Sequence, residues 1–141
     1  MTLSDIQNLL LGVAWTLFGV ASGPKYWPIQ PPSYPLAVRN PYLSAWMPGN
    51  QVTHLTTSSP QFWAGQDLTW GIMVRVDGEA YNVFGVPKGV KGTKSGIVKG
   101  ATYTSTHSIF ELTTGAVDVK LDFFSPVSPS NYLRQSLPFS K

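Results

Sequence analysis

The chain has 141 residues, enough for about one domain that buries roughly two-thirds of the surface its unfolded chain would expose. Its net charge of +3 is too small an excess to predict nucleic-acid binding without a basic stripe. It has no cysteine, which excludes disulfides, thiol nucleophiles and cysteine-based zinc or iron–sulfur sites.

The composition is that of a packed, turn-rich β protein. Hydrophobic residues make up 43% of the chain and charged residues only 12%, against a usual charged share of about 25%. The 13 glycines and 12 prolines indicate many turns, and no long charged helical stretch is present. We therefore expect strands to dominate and helix to be a minor component.

Residues 1–23 form the one helix candidate. An uncharged, mostly apolar run ends in small residues before Gly23 and Pro24, which is typical of a secretory signal peptide. The run is shorter than the roughly 20 residues that span a bilayer, so we expect no stable membrane span. The first residues carry Asp5 and no Lys or Arg, which leaves an anchor helix or a wrongly assigned start as alternatives.

Residues 24–60 are predicted to lack helix. Four prolines indicate a Pro-rich linker over 24–34. Because Pro41 and Pro48 disfavour helix at the residue before each, 35–50 is predicted to be an extended ribbon with bends. The Thr- and Ser-rich residues 50–60 are predicted to form an exposed loop.

The strongest local signal is Asp77-Gly78, which predicts a two-residue type I′ hairpin. The pairs expected from this turn are Val76 with Glu79, Val74 with Tyr81, and Ile72 with Val83. One apolar face results, comprising Trp70, Ile72, Val74, Val76, Tyr81 and Val83. This face should pack on a second sheet.

Residues 85–100 carry four lysines among five glycines, which suggests a phosphate-binding loop. The order Gly92-Thr93-Lys94-Ser95-Gly96 does not fit that motif, and β-branched residues follow where it needs a helix. We therefore predict a flexible, solvated basic loop, with an anion site as the weaker alternative.

Two further strand patterns follow. Residues 101–112 alternate hydroxyl side chains with Tyr103, His107 and Ile109, as one strand with a solvent-facing side would. From Val117 to Phe124, apolar and polar residues alternate cleanly, and Pro126 ends the pattern. With the hairpin, these strands predict an antiparallel β-sandwich of about five to seven strands, following the signal-like helix and the linker.

Residues with catalytic potential do not group into a site. Asp118 and Asp122 lie four strand positions apart, roughly 13 Å, which is too far for a glycosidase acid pair. Ser22 and Lys25 have the spacing of a serine amidohydrolase motif, but the intervening Gly-Pro prevents the helical turn that the motif needs. The two histidines lack ligand-spaced neighbours. The sequence thus predicts no catalytic, cofactor-binding or metal-binding residue.

Aromatic residues supply the candidate contact site. Trp can stack on a sugar ring or line a cleft, although aromatics near strand starts more often pack in a core or between domains. Two polar residues, Arg39 and Asp67, lie between apolar or aromatic residues and need partners if they are buried. The candidate ligand or inter-domain contacts are Arg39, Tyr42, Trp46, Trp63, Asp67 and Trp70.

Three sequence blocks carry a family resemblance. They read LAVRNPYLSAWMPG at 36–49, FWAGQDLTWGIMVRVDG at 62–78, and SPVSP with RQSLPFS at 125–129 and 134–140. The blocks resemble, in the same order, the N-terminal region of the fungal glutaminase A family. The resemblance covers about residues 35–140, so 35–141 is predicted to be an incomplete domain of that kind. The Lys- and Gly-rich stretch over 88–99 departs from the family.

The resemblance also implies a location, an architecture and an activity that the residues alone do not indicate. It implies export, and a β-sandwich that packs on a helical, toroid-shaped domain absent from this chain. The family activity, hydrolysis of L-glutamine to L-glutamate and ammonia, would reside in that C-terminal domain and attaches to no residue named here.

The chain therefore has two candidate functions. The first is a non-catalytic N-terminal domain of a secreted glutaminase A-like protein, which requires an exposed apolar patch for its partner. The second is a small secreted module that binds carbohydrate or cell-wall polymer, which requires Trp46 or Trp63 to be exposed. A stand-alone amidohydrolase would need a nucleophile and a base in one cleft, and the sequence shows neither.

Overall fold

The computed structural model describes residues 23–40 and 42–126. The predicted signal-like segment, apart from Gly23, and the third family block beyond Pro126 lie outside the described residues. The described residues form one 3-10 helix, Gly49–His54, and ten strands. The strands are β1 (Lys25–Trp27), β2 (Ser33–Asn40), β3 (Leu43–Pro48), β4 (Gln61–Phe62), β5 (Gly71–Val76), β6 (Glu79–Gly85), β7 (Lys94–Ser95), β8 (Ile97–Tyr103), β9 (His107–Thr113) and β10 (Asp118–Phe124).

The strands form three sheets with the orders β1-β8-β9-β10, β2-β3-β4 and β5-β6-β7. Neighbouring strands are antiparallel, except that β1 runs parallel to β8 and β6 runs parallel to β7. The predicted mainly β fold is thus confirmed. The strands outnumber those expected because β1, β4 and β7 have only two or three residues, too few to show a periodicity.

All three sheets contribute to one core. Phe110 of β9 packs against Tyr34 of β2, with ring centroids 5.3 Å apart, and against Phe84 of β6, at 6.3 Å. Such tilted aromatic pairs add to the free energy gained from burial. The buried hydrophobic residues are Tyr34, Leu36, Ala45, Met47, Val52, Leu55, Val83, Phe84, Val98, Ala101, Phe110 and Leu112.

The β5–β6 hairpin forms at the predicted turn. Asp77 and Gly78 have φ of 49° and 84°, as a type I′ turn requires. Val76 pairs with Glu79 and Val74 with Tyr81, as expected. The predicted pairing of Ile72 with Val83 is wrong, because a bulge in β6 moves Phe84 opposite Ile72.

The exposed loop predicted over 50–60 is wrong. The segment begins in the 3-10 helix, and both Val52 and Leu55 are fully buried. The Asn82 side chain donates hydrogen bonds to the carbonyls of Thr56, at 2.5 Å, and Gly85, at 2.8 Å. The Gly85 amide in turn donates to the carbonyl of Leu55 at 2.9 Å. These contacts fix the segment onto β6, which no local sequence signal reveals.

The Pro-rich linker predicted over 24–34 is not confirmed. Residues Lys25–Trp27 form β1 and pair with β8. Near the end of the stretch, the carbonyl of Pro32 accepts a hydrogen bond from the Gly49 amide at 2.7 Å. This stretch is therefore part of the folded β structure.

The single strand predicted over 101–112 is also wrong. The chain turns between β8 and β9, where the Thr104 hydroxyl accepts hydrogen bonds from the amides of Thr106, at 3.3 Å, and His107, at 3.1 Å. Such side-chain contacts favour turns over strands. The amphipathic pattern of β10 is confirmed, since its residues alternate between exposed and half-buried along the whole strand.

The basic loop is shorter than predicted, because β7 and β8 occupy 94–95 and 97–103. Lys94 lies 3.4 Å from a Glu79 carboxylate oxygen and Lys99 lies 2.6 Å from one of Asp118. Among the described helices, none is long and apolar enough to cross a membrane.

Candidate functional site

The predicted contact residues gather around the β2-β3-β4 sheet, where they line two grooves. The first groove, about 720 Å³, is lined by Trp46 and Trp63, and the second, about 380 Å³, by Arg39 and Trp70. The side chains of Val38, Ser44 and Phe62 line both grooves. Four of the six predicted residues thus line two adjacent grooves.

Exposed apolar side chains surround these grooves. Tyr42 is 70% exposed and Trp63 52% exposed, and their rings meet edge to face at 5.7 Å. The second groove is lined by three further exposed apolar side chains, those of Leu43, Trp70 and Phe124. We call this set of five residues, Tyr42, Leu43, Trp63, Trp70 and Phe124, the aromatic face.

Trp63 owes its position to a tight turn after β4. The Gly65 amide donates to the carbonyl of Phe62 at 2.8 Å, and the Phe62 amide donates to the carbonyl of Gln66 at 2.8 Å. Gly65 has φ of 85°, which favours glycine. The turn places the Trp63 indole beside Phe62, with ring centroids 6.0 Å apart.

The remaining predicted residues differ in their surroundings. Asp67 is exposed and accepts a hydrogen bond from the Gln61 side chain at 3.3 Å, so it orders the turn outside the grooves. Arg39 is half-buried at the end of β2. Trp46 is half-buried and lies opposite Gln61 in the β3–β4 pair. Trp63 therefore meets the exposure condition for carbohydrate binding that Trp46 meets only in part.

Sequence reasoning missed two members of the aromatic face. Leu43 is exposed although it belongs to β3, the central strand of its sheet, where it is the first residue. Phe124 occupies the solvent side of β10, where the preceding residues are charged. An aromatic ring on an otherwise charged strand face was the available signal for Phe124. No local signal joined it to β2 and β3, because that contact is tertiary.

The charged residues of β10 form separate pairs. His107 Nδ1 lies 2.8 Å from an Asp122 carboxylate oxygen, and the imidazole stacks on Phe124 at 4.6 Å. The hydrogen bond from Lys99, with a smaller contribution from Thr113, lowers the pKa of Asp118 below its ordinary value. The two aspartates thus have different partners and do not form an acid pair.

The strongest pKa shift belongs to a core residue. Burial, with smaller contributions from Tyr26 and Tyr103, raises the pKa of Tyr34 to about 12. Its hydroxyl has no hydrogen-bond partner among the described residues. Within the same part of the chain, no group of three or more His, Cys, Asp or Glu residues is arranged to hold a metal ion.

Comparisons with known proteins agree with the sequence blocks. A family described as a domain of unknown function, DUF5127, matches residues 106–140. Glutaminase A of Aspergillus oryzae is 36% identical over 138 residues, which cover 94% of this chain and 20% of that protein. A probable glutaminase of Arthroderma benhamiae is 34% identical over 125 residues, covering 78% of this chain and 14% of that protein. No solved structure matches.

The chain therefore spans a fifth or less of the length of these curated relatives, since it covers 20% and 14% of them. The two alignments nevertheless include most of the present sequence, 94% and 78% of it. These matches support the interpretation of the chain as an N-terminal fragment of the fungal glutaminase A family.

Proposed function

We propose that the chain is a non-catalytic β domain of a glutaminase A-like protein, and that glutamine hydrolysis resides in another part of such a protein. The observation that carries this proposal is the aromatic face. Five exposed apolar side chains around two connected grooves form a larger apolar surface than scattered exposed residues would, and such patches are typical of interaction sites.

The chemistry of the aromatic face suits a protein partner. Aromatic residues are enriched and charged residues depleted at the centre of protein interfaces. Asn40 already accepts hydrogen bonds from the amides of Tyr42, at 2.9 Å, and Leu43, at 2.8 Å, and the Gln61 amide is bound to Asp67. Docking would therefore bury mostly apolar surface and leave these polar groups satisfied.

The proposed architecture is a β-sandwich. Tyr34 from the β2-β3-β4 sheet packs edge to face on Tyr103 of β8, with ring centroids 5.8 Å apart. Phe84 of β6 contacts Phe123 of β10 at 4.8 Å. Contacts between inner faces of separate sheets support two layers with the aromatic face outside them.

We further propose export, supported by the signal-like pattern over 1–23. Secreted product that lacks this segment would support export, and retention of the chain in cells would contradict it.

A binding experiment tests the docking surface. The 141-residue chain is titrated into Aspergillus oryzae glutaminase A from which the matching region has been deleted, and heat is measured by calorimetry. We expect binding that Leu43→Asp and Trp63→Asp each weaken at least about tenfold, because each places a charge in an apolar contact. Trp27→Asp, at an exposed tryptophan that lines neither groove, is the matched control and should bind like the parent chain. Equal weakening by all three variants would contradict the assignment of the surface.

A carbohydrate-binding module is the second candidate. It is favoured by one observation, that half-exposed Trp63 and Trp46 line the same open groove of about 720 Å³. The polar side chains engaged within this groove count against it, because a sugar needs free donors and acceptors. Oligosaccharide binding that Trp63→Ala abolishes would favour this second function.

A further inference from the structure

A second groove system lies around β1 and shares no lining residue with the aromatic face. This groove, about 880 Å³, is lined by Trp27, Ile97, Thr102 and Glu111 among others. Trp27 is 76% exposed and Ile97 67% exposed. We call it the Trp27 groove. Its two exposed apolar side chains are not explained by docking through the aromatic face.

The pairing of β1 with β8 builds the floor of this groove. Lys25 lies opposite Gly100 and Trp27 opposite Thr102. A Cβ atom at Gly100 would lie 2.3 Å from the Lys25 carbonyl oxygen, so glycine permits the close approach of the two strands. Gly100 is also opposite Glu111 of β9. The missing side chain leaves an open strip between the Lys25 and Glu111 positions.

The side chains of β1 alternate between the core side and the outer face of the sheet. Tyr26 points toward the core, where its hydroxyl is buried, whereas its neighbours Lys25 and Trp27 are exposed. Residues opposite one another on paired strands lie on the same face of a sheet. Trp27, Thr102, Lys25 and Glu111 therefore share the outer face of the β1-β8-β9-β10 sheet.

The functional groups of the Trp27 groove are free within the described residues. There, the Glu111 carboxylate and the Lys25 ammonium make no hydrogen bond or ion pair, and the Trp27 indole makes no ring contact. Lys99, which also lines the groove, is engaged by Asp118 at 2.6 Å. An acceptor, a donor and a flat apolar ring are thus available together.

We propose that the Trp27 groove binds a neutral oligosaccharide, with one sugar ring stacked on the Trp27 indole and its hydroxyls bonded by Glu111, Lys25 and Thr102. A pyranose has an apolar C–H face and a rim of hydroxyls that both donate and accept. A rigid indole suits the face. A carboxylate, which only accepts, and an ammonium, which only donates, suit the rim.

The charge pattern distinguishes this ligand from two others. Lys25 and Glu111 carry opposite charges, and the charge of Lys99 is paired with that of Asp118, so the lining offers little net attraction for an anion or a cation. Docking of an apolar protein surface would desolvate both charges at a cost. A hydrated sugar keeps them hydrogen-bonded, since water-bridged contacts are nearly as favourable as direct ones. The site is independent of the aromatic face, so either proposal can fail alone.

Calorimetric titration of the full 141-residue chain tests the inference. The probes are four hexasaccharides at millimolar concentration, made of β-1,4-glucose, β-1,4-N-acetylglucosamine, β-1,3-glucose and α-1,6-mannose. We expect at least one to bind, Trp27→Ala to weaken that binding at least about tenfold, and Glu111→Gln to weaken it measurably. Trp63→Ala, the matched control, should bind like the parent chain.

Three results would overturn the inference. They are no binding of any probe, undiminished binding by Trp27→Ala, and loss of binding in Trp63→Ala, which would move the sugar to the aromatic face. Circular dichroism of each variant checks its folding. If Trp27→Ala is unfolded, Glu111→Gln and Thr102→Val decide the outcome, because neither residue lies in the core and unchanged binding by both contradicts the assignment.

Discussion

One core residue, Tyr34, buries a polar group that lowers the stability of the fold. The Tyr34 hydroxyl is fully buried with no hydrogen-bond partner among the described residues, although its ring contacts Tyr103 and Phe110. A buried polar group without a partner costs about 1–3 kcal/mol. The ring therefore stabilises this position while the hydroxyl opposes it.

Tyr34→Phe tests this division. The variant keeps the ring contacts and removes the unpartnered hydroxyl, so we expect it to be at least as stable as the parent chain in urea unfolding at neutral pH. Because the pKa of Tyr34 is raised from 10.0 to about 12, the neutral phenol contributes stability that is present below pH 10 and lost as the pH rises through about 12. The stability of the variant should therefore fall less than that of the parent chain as the pH rises above 10. A large loss of stability at neutral pH would show that the hydroxyl has a partner.

Gly85 combines a positive φ with a close contact. Its φ is 71°, and an added Cβ would lie 1.9 Å from the Trp70 carbonyl oxygen. We expect Gly85→Ala to lower the free energy of unfolding by about 2–4 kcal/mol, from backbone strain and overpacking together. Gly89→Ala is the matched control, because Gly89 has φ of 78° and open space around it. Equal effects of the two substitutions on urea unfolding would contradict the contribution of the contact.

At the scale of elements, Asn82 joins the segment after the 3-10 helix to β6. Asn82→Ala leaves the carbonyls of Thr56 and Gly85 without their side-chain donor. We expect a loss of about 2–3 kcal/mol in the free energy of unfolding, since buried groups lose their partners. Asn50 is exposed on the 3-10 helix and provides the control variant Asn50→Ala, which should change the free energy of unfolding little. Comparable urea midpoints for the two variants would argue against the proposed role of Asn82.

The outer face of the four-stranded sheet is connected by an ion pair from β8 to β10. Because the pKa of Asp118 is lowered, the pair contributes stability that is present above the unfolded-state pKa of about 3.8 and is lost as the pH falls through the folded-state pKa. Asp118→Asn should therefore be less stable than the parent chain at neutral pH, with a difference that disappears in acid and shrinks in high salt. A difference independent of pH would contradict this cause.

The sequence predicted those elements whose stability is local. The β5–β6 turn follows from Asp77-Gly78, and the alternation in β10 follows from its own residues. The bulge in β6 could not be predicted, because it accompanies the packing of Gly85 against Trp70. The same is true of β1, a three-residue strand that depends on β8 for its hydrogen bonds.

The candidate site shows the same division between local and tertiary information. Composition suggested Tyr42, Trp63 and Trp70 as candidate contact residues, and all three are exposed members of the aromatic face. Trp27 was assigned to a linker, since its neighbours are prolines and its partner strand is more than seventy residues away. Exposure is a property of the folded chain, so no single residue type could separate Trp63 from half-buried Trp46.

At the scale of the whole molecule, one core is shared by three sheets, and two separate exposed surfaces lie outside it. The aromatic face is apolar, and its neighbouring polar groups are engaged, whereas the Trp27 groove combines an indole with free charged groups. We assign the first surface to the rest of a glutaminase A-like protein and the second to a sugar. Together the two proposals would make the chain an accessory domain with two interaction surfaces.

We propose that this chain does not hydrolyse glutamine by itself. Release of ammonia from L-glutamine by the purified 141-residue chain tests this proposal, with circular dichroism as the check on folding. We expect a folded β protein with no ammonia release above the rate without protein. Glutamine turnover proportional to the concentration of the folded chain would show that a catalytic group lies within these 141 residues.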